Sequence, residues 1–242
     1  MTSWGKKMPH PRLGYRDADG NALPGVTTVV GRYKDEGPLL NWRYNCIRRG
    51  LNPTAEGRKA ANIGTAVHDA IERHIRQEPF EEDPTTYYEL PEGGLDKAKL
   101  CYQAWQEWND HVQPRYLILE PQMSHGVLGY GGTPDAICVI NDILCVVDWK
   151  TSNAIYNETA MQVSAYKELV RCNYGLVLDD AYVLRMDKRS KTPNFEQYRI
   201  GPDALELYFE QFNRFLDAYK FEREHFPAKW EKVTRAKLLK GA

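Results

Sequence analysis

The chain has 242 residues, of which 42% are hydrophobic and 12% aromatic, and 32 basic residues nearly balance 33 acidic ones. Because burial of so much apolar surface offsets conformational entropy, this composition excludes a mainly disordered protein. The densest apolar runs, 136–140 and 143–147, are too short for the roughly 20 residues of a membrane span. No apolar segment follows Lys6 and Lys7, so we expect no secretory signal and a cytoplasmic location.

The net charge of −1 argues against a polyanionic partner, but the charges are segregated along the chain. Residues 32–59 contain seven basic and three acidic side chains, whereas residues 76–96 contain one basic and seven acidic ones. Such segments are usually solvated faces, and the basic one is also compatible with nucleic-acid binding.

The first half of the chain has mainly helical periodicity. Apolar spacing predicts helices over Leu39–Arg49, Thr65–Gln77 and Leu95–Val112, with Thr54 as an N-cap. The acidic stretch Glu78–Gly94 contains proline and glycine and predicts a loop.

Strand patterns begin near Tyr116. Alternating and continuous apolar runs predict the strands Tyr116–Glu120, Thr133–Ile140, Ile143–Lys150, Ala181–Met186 and Asn194–Ile200. Two further helices are predicted over Glu158–Arg171 and Asp203–His225. These elements indicate an α/β fold with a small mixed β-sheet flanked by helices and a helical N-terminal half. We expect a single domain over 1–242, with a helical part (24–115), a sheet core (116–200), a C-terminal packing helix (201–228) and a basic tail (229–242).

The five cysteines show no CxxC spacing, and their odd number does not suggest a disulfide framework. We interpret them as reduced core thiols. They are Cys46, Cys101, Cys138, Cys145 and Cys172.

A predicted hairpin brings two carboxylates together. If Asn141 and Asp142 form a two-residue loop, Asp135 lies opposite Asp148 and Cys138 lies opposite Cys145. Two facing carboxylates repel each other unless a cation or proton compensates, and oxygen ligands suit Mg²⁺. Lys150 follows on the same strand face. The alternative interpretation is a solvent-exposed hairpin end, where Asp and Lys are common.

Four further side chains are candidates for the same site. Glu120 ends the preceding strand, and His68 lies at the margin of an apolar helix face, where a structural histidine is the commoner case. Gln162 and Tyr166 are four residues apart and share one helix face.

In this order, the motifs Gly64-xxx-His68, Glu120, Gly132-xx-Asp135, Asp148-Trp-Lys150-Thr-Ser and Gln162-xxx-Tyr166 resemble the PD-(D/E)XK nuclease superfamily. The resemblance is to its RecB-like exonuclease branch, which includes phage exonucleases and the mitochondrial genome maintenance exonuclease. Residues 24–30 and 39–42 look like the helical segment near the start of those enzymes. The resemblance covers roughly residues 24–170 and implies a restriction-endonuclease-like core.

The resemblance also implies roles for individual residues. Asp135, Asp148, Lys150 and Glu120 would be catalytic. The ligands of Mg²⁺ or Mn²⁺ would be His68, Asp135, Asp148, Glu120 and the backbone carbonyl of Trp149. Candidate DNA contacts are Gln162, Tyr166, Thr151, Ser152, Arg48, Arg49, Lys188 and Arg189.

The function that the resemblance implies is a divalent-metal-dependent DNA exonuclease acting on single strands or DNA ends, in phage-type recombination, replication or repair. An endonuclease of the same superfamily and a catalytically silent DNA-end-binding subunit are the alternatives.

Some relatives carry an iron–sulfur cluster with cysteines near the C-terminus. Since no cysteine follows Cys172, we expect none here. The chain has no helicase P-loop, so unwinding would need a partner such as a helicase, and a single-strand annealing protein is another candidate. If the chain is phage-encoded, its location would be the host cytoplasm.

Overall fold

The computed structural model describes residues 14–78 and 88–226. The helices of these ranges are α1 (Val26–Arg32), α2 (Gly37–Arg48), α3 (Pro53–Ile75), α4 (Gly94–Val112), α5 (Asn157–Tyr174) and α6 (Pro202–His225). The strands are β1 (Tyr15–Arg16), β2 (Ala22–Leu23), β3 (Arg115–Leu119), β4 (Met123–His125), β5 (Tyr130–Gly132), β6 (Ala136–Ile140), β7 (Ile143–Lys150), β8 (Asp180–Met186) and β9 (Phe195–Ile200).

A five-stranded mixed sheet with the order β3-β6-β7-β8-β9 organises the fold. Its neighbouring strands are antiparallel except β7 and β8, which run parallel because α5 carries the chain back between them. Two short antiparallel pairs, β1–β2 and β4–β5, lie outside this sheet. The predicted α/β fold with a small mixed sheet and a helical N-terminal half is confirmed.

The β6–β7 hairpin has the predicted register. Asn141 and Asp142 adopt φ values of 50° and 63°, the left-handed conformation that a two-residue hairpin loop requires. Ile140 therefore pairs with Ile143, and Cys138 with Cys145. Side chains of β7 alternate between the two sheet faces, so this register determines which of them reach each core.

Each sheet face is covered by its own hydrophobic core. On one face, Val146 packs with residues of α5 and α6 such as Leu169 and Phe212. On the other, Val147 packs with residues of α3 and α4 such as Val67 and Trp105. The sheet thus lies between two layers of helices.

The N-terminal helices differ from their predicted bounds. α3 is one helix of 23 residues, because Gly57 and Gly64 continue it rather than interrupt it. The prediction of Thr54 as its N-cap is wrong, since the Asn52 side chain accepts hydrogen bonds from the N–H groups of Thr54 and Ala55. The strands β4 and β5 were not predicted, because three-residue strands carry little periodicity.

Four of the cysteines are buried thiols, as predicted, but Cys172 is exposed, so the prediction of a core thiol is wrong for that residue. Most of the predicted acidic loop and the basic tail lie outside the described residues. Within the described ranges, none of the helices has the length and apolarity needed to cross a membrane. The single-domain division stays a prediction.

Candidate active site

Asp135 and Asp148 lie at the open end of the β6–β7 hairpin. Asp148 is part of β7, and Asp135 immediately precedes β6. The Trp149 N–H donates a hydrogen bond of 2.7 Å to Asp135 Oδ2. The bond continues the contact between the two strands beyond their last backbone pair, with the Asp135 side chain as the acceptor. The neighbouring strand β7 therefore fixes the position of the Asp135 carboxylate.

His68 reaches this carboxylate from α3. Its Nδ1 lies 3.0 Å from Asp135 Oδ1. One turn earlier, a Cβ on Gly64 would come within 3.0 Å of Thr151 Oγ1, at the end of β7. The absence of a side chain at Gly64 therefore lets α3 approach the strand closely enough for the His68–Asp135 contact.

Lys150 and Gln162 connect the second carboxylate to α5. Lys150 Nζ lies 2.5 Å from Asp148 Oδ2 and donates a 3.3 Å hydrogen bond to Gln162 Oε1. The Gln162 amide in turn donates to Asp148 Oδ1 at 3.2 Å and to the Tyr166 hydroxyl at 2.9 Å. The four side chains form one connected network, and the hydrogen-bonding capacity of the Gln162 amide is largely used within it.

The two carboxylates differ in electrostatic environment. Burial would raise the pKa of Asp135, but His68, Lys150 and the Trp149 N–H outweigh it and lower that pKa. For Asp148, burial prevails over Lys150 and, with help from Asp135, raises the pKa. Burial would likewise lower the pKa values of His68 and Lys150, but the adjacent carboxylates raise both. In the absence of a cation, the site thus attracts positive charge.

One buried oxygen supports a metal-binding role for this cluster. Asp148 Oδ2 is shielded from solvent, and among the described residues no donor makes a hydrogen bond to it with good geometry, although Lys150 Nζ is close. A buried carboxylate oxygen without a hydrogen bond is costly. Carboxylate oxygens and a nearby imidazole are suitable ligands for a hard or borderline divalent cation. The residues present therefore fit such an ion.

Glu120 follows β3 directly and faces the same cleft as His68 and Asp135. Its backbone has φ +47°, an uncommon value for a residue other than glycine, and its N–H donates to the Asp135 carbonyl at 3.0 Å. The turn at Glu120 thus places a third carboxyl residue on the wall of the cleft that contains the predicted pair. For Trp149, the structure gives the N–H contact with Asp135, and the predicted ligation through its carbonyl stays a prediction.

A close approach positions α5 against β5 of the β4–β5 hairpin. A Cβ on Gly132 would lie 2.6 Å from Tyr166 Cε1 and 2.9 Å from Leu169 Cδ1. Tyr166 is buried, which raises its pKa well above the usual range, so its hydroxyl stays protonated. Gly132 therefore permits the position of α5 from which Gln162 and Tyr166 reach the carboxylates.

These residues line one cleft of roughly 1160 Å³. The predicted site residues on its wall are His68, Glu120, Asp135, Asp148, Trp149, Lys150, Thr151, Ser152, Gln162, Tyr166 and Lys188. Arg48 and Arg49, at the end of α2, and Arg189 are not on this wall. Arg189 instead donates to the carbonyl of Asn153 at 2.9 Å.

Sequence reasoning missed Tyr15 and Thr133, which also line the cleft. The Tyr15 hydroxyl lies 3.0 Å from Thr133 Oγ1, and its ring covers Gly131, where a Cβ would overlap it. The Gly131-Gly132 pair was the available signal, because adjacent glycines in a strand often mark a close approach. It does not indicate which side chain approaches.

Comparison with known proteins gives one decisive match. Residues 39–237 match the family model of the PD-(D/E)XK nuclease superfamily. The chain belongs to this superfamily. The match confirms the prediction of a PD-(D/E)XK-type deoxyribonuclease. Nucleases of the superfamily use divalent metal ions in general, which agrees with the chemistry of the cleft residues.

Solved structures of other nucleases are similar to this PD-(D/E)XK protein at low identity. A candidate exonuclease from Eubacterium rectale shares 15% identity over 76% of this chain and 80% of its own, with a TM-score of 0.45. The LHK-Exo structure in complex with dAMP shares 15% identity over 76% of this chain and 93% of its own, with a TM-score of 0.37. LHK-Exo is an alkaline exonuclease from Laribacter hongkongensis. No curated protein matches the chain significantly.

Proposed function

We propose that this PD-(D/E)XK nuclease is a DNA exonuclease that hydrolyses phosphodiester bonds at single-stranded DNA or at DNA ends. The observation that carries the proposal is the convergence of Asp135, Asp148 and Lys150 on one cleft, with His68 against Asp135. A module that only binds DNA has no need for this group of buried charges, each of which is costly to desolvate.

Mg²⁺ or Mn²⁺ is the proposed cofactor, held by Asp135, Asp148, His68 and the Trp149 carbonyl, with Glu120 at the margin. When bound, the cation supplies Lewis acidity, which lowers the pKa of a water molecule and offsets charge on the scissile phosphate. Asp148 Oδ2 supports this assignment, because it accepts no hydrogen bond of good geometry, although Lys150 Nζ is close, and retains a lone pair for a ligand.

Lys150 has two proposed roles in the reaction. Its ammonium stays charged because Asp148 and Asp135 raise its pKa against the effect of burial. Held beside Asp148, it orients the attacking water and stabilises negative charge that develops on the phosphate. The general base is not assigned to Lys150 itself, since a lysine of raised pKa holds its proton at neutral pH.

Gln162 has a proposed positioning role. Its amide contacts are with Lys150, Asp148 and Tyr166, all within the site. We infer that it fixes the rotamers of the lysine and the carboxylate, whereas the DNA contact predicted for it stays a prediction.

The proposed path of the DNA strand follows the cleft wall from Tyr166 past Thr151 and Ser152 to Lys188. Hydroxyl groups and a lysine suit the sugar-phosphate backbone, which every sequence shares. Arg48, Arg49 and Arg189 lie off this wall, and we assign them to more distant phosphates of a longer substrate.

A comparison of linear and circular DNA tests the exonuclease proposal. With Mg²⁺, the protein should release mononucleotides or short products from linear single strands and leave circular single strands intact. Cleavage of the circle would instead support the endonuclease alternative. Binding to DNA ends without cleavage of either substrate, in Mg²⁺ and in Mn²⁺, would support the silent end-binding subunit.

The proposed setting is phage-type recombination, replication or repair in the cytoplasm, by one domain that includes residues 1–242. Such a nuclease would work with a helicase or a single-strand annealing protein, because the sequence contains no P-loop of its own.

A further inference from the structure

A second cluster of metal-ligating side chains lies outside the cleft. His125 comes from β4, and Glu168 and Cys172 are one helical turn apart on α5. The distances are 3.2 Å between Cys172 Sγ and His125 Nε2, 3.3 Å between His125 Nε2 and Glu168 Oε1, and 3.5 Å between Cys172 Sγ and Glu168 Oε1. None of these side chains lines the active-site cleft.

Two of these distances fall within the range of the edges of a tetrahedral zinc site, and the third, between Cys172 Sγ and His125 Nε2, is slightly shorter. With Zn–N and Zn–O bonds of roughly 2.0–2.2 Å and a Zn–S bond of about 2.3 Å, tetrahedral ligand atoms lie roughly 3.3–3.6 Å apart. We propose that His125, Glu168 and Cys172 bind Zn²⁺ or a similar borderline-soft divalent cation, with water as the fourth ligand.

The surrounding structure holds the ligands in place before an ion binds. The Tyr130 hydroxyl donates to the Ala165 carbonyl at 3.1 Å, and Asn173 Nδ2 donates to the Ser124 carbonyl at 3.0 Å. Both bonds fasten the β4–β5 hairpin to α5. His125 is buried and stacks on Tyr130, with ring centroids 5.6 Å apart, whereas Cys172 is exposed. An ion therefore has access from the cysteine side.

Ion binding changes several existing interactions of the three ligands. The Leu128 N–H donates to His125 Nδ1 at 3.1 Å, which places the proton of the neutral ring on Nε2. Binding through Nε2 moves that proton to Nδ1, which breaks the bond from Leu128 and replaces the contact of Nε2 with Glu168 Oε1. The Cys172 thiol releases its proton to solvent, and the exposed Arg171, which pairs with Glu168, moves aside. Three metal–ligand bonds outweigh these losses.

The bound ion would cross-link the β4–β5 hairpin to α5, the helix that carries Gln162 and Tyr166. The cluster lies on a different face of α5 from these two residues, so the ion would brace the helix without contacting the substrate. Its role is structural stabilisation by a metal other than the catalytic one.

Cobalt absorption and thermal unfolding test this proposal. The full chain carrying Asp135→Asn, which weakens the catalytic metal site, is titrated with Co²⁺ after treatment with a chelator. We expect a thiolate-to-cobalt charge-transfer band that saturates at one equivalent, and a higher Tm with Zn²⁺. Adding Cys172→Ala should remove both effects. Glu168→Gln should reduce the affinity for Co²⁺ at least tenfold. Because Cys172 is exposed, its replacement leaves the fold intact.

The proposal would be overturned by three results. These are the absence of a charge-transfer band at one equivalent, a band that survives Cys172→Ala, or an equal Tm increase with Zn²⁺ in the proteins with and without Cys172.

Discussion

At the scale of single residues, the proposed catalytic role of Asp148 opposes the stability of the fold. Burial raises its pKa despite the neighbouring Lys150, so its ionised form is less favourable in the fold than in water. The residue nevertheless is buried in β7, near the open end of the hairpin, where an apolar side chain would pack without this cost. The two cores that enclose the sheet therefore offset the cost of the proposed catalytic arrangement.

Asp148→Asn should stabilise the metal-free protein and abolish cleavage. A carboxyl group with a raised pKa costs no stability below its unfolded pKa, and the cost develops as pH rises through its folded pKa. In EDTA, the Tm of the variant should exceed that of the wild type by on the order of a few degrees at pH 7. The difference should disappear as pH falls below the usual carboxyl range. A variant that is less stable than wild type at pH 7 would contradict this account of Asp148.

Gln162→Ala should slow cleavage about 10- to 100-fold, the usual cost of losing a residue that orients ligands. Since we assign Gln162 a positioning role, the variant should retain wild-type affinity for single-stranded DNA in EDTA. Lys167→Ala is a matched control on the same helix, because its ammonium pairs with Glu206 and lies outside the cleft lining. If Gln162→Ala weakened DNA affinity and left the rate at saturating DNA unchanged, the residue would be a DNA contact instead.

At the scale of secondary-structure elements, the position of α5 depends on a glycine in the strand beneath it. A methyl group at Gly132 would overlap Tyr166 and press on Leu169. Both neighbours are buried side chains of the core and cannot move freely. The network from Gln162 to Lys150 and Asp148 thus depends on the absence of one methyl group.

Gly132→Ala should destabilise the protein by about 1–3 kcal/mol, as overpacking of a core does, and should also reduce cleavage. Gly126→Ala is a suitable control, because a Cβ there meets nothing within 4 Å and its φ is not left-handed. Denaturant unfolding of the two variants provides the comparison. Equal stability of both variants would show that α5 can shift to accommodate the methyl group.

The sequence predicted some elements better than others for physical reasons. β7 was predicted with its observed bounds, and the hairpin register followed from the Asn141-Asp142 loop, because both signals are local. The sequence placed a helix start near Thr54 but predicted a new helix from Thr65, because the first half of α3 is polar and contains two glycines, so the continuous helix was not predicted. Contacts such as that of Tyr15 with Gly131 join segments that are distant in sequence. They produce no periodic pattern in the sequence and were therefore not predicted.

At the scale of the whole molecule, the near-neutral net charge is the sum of acidic and basic groups that lie in different places. Several of the acidic residues are carboxylates of the proposed metal site, and the basic residues are distributed between the cleft wall and the outer helices. Total charge therefore could not identify the partner. The sequence predicted DNA contacts for Lys188 and for Arg48 and Arg49 alike. The structure distinguishes them, because Lys188 lines the cleft and the two arginines do not.

Lys188→Ala should weaken DNA binding more than Arg49→Ala does. Loss of one phosphate contact should reduce the slope of log K against log salt by about one. Fluorescence anisotropy with a short single-stranded oligonucleotide in EDTA measures both quantities. With an oligonucleotide too short to extend beyond the cleft, Arg49→Ala should behave as wild type. A larger effect of Arg49→Ala on this substrate would place the strand along α2 rather than along the cleft.

Asp135, Asp148 and Lys150 form the proposed metal-dependent hydrolytic site. Its most direct test is cleavage of end-labelled linear DNA by the wild type and by Lys150→Ala, each with Mg²⁺, with Mn²⁺ and with EDTA. We predict cleavage by the wild type with either metal, none with EDTA, and a rate about 10²- to 10⁴-fold lower for Lys150→Ala. Cleavage by Lys150→Ala at the wild-type rate, or cleavage that persists in EDTA, would contradict the account.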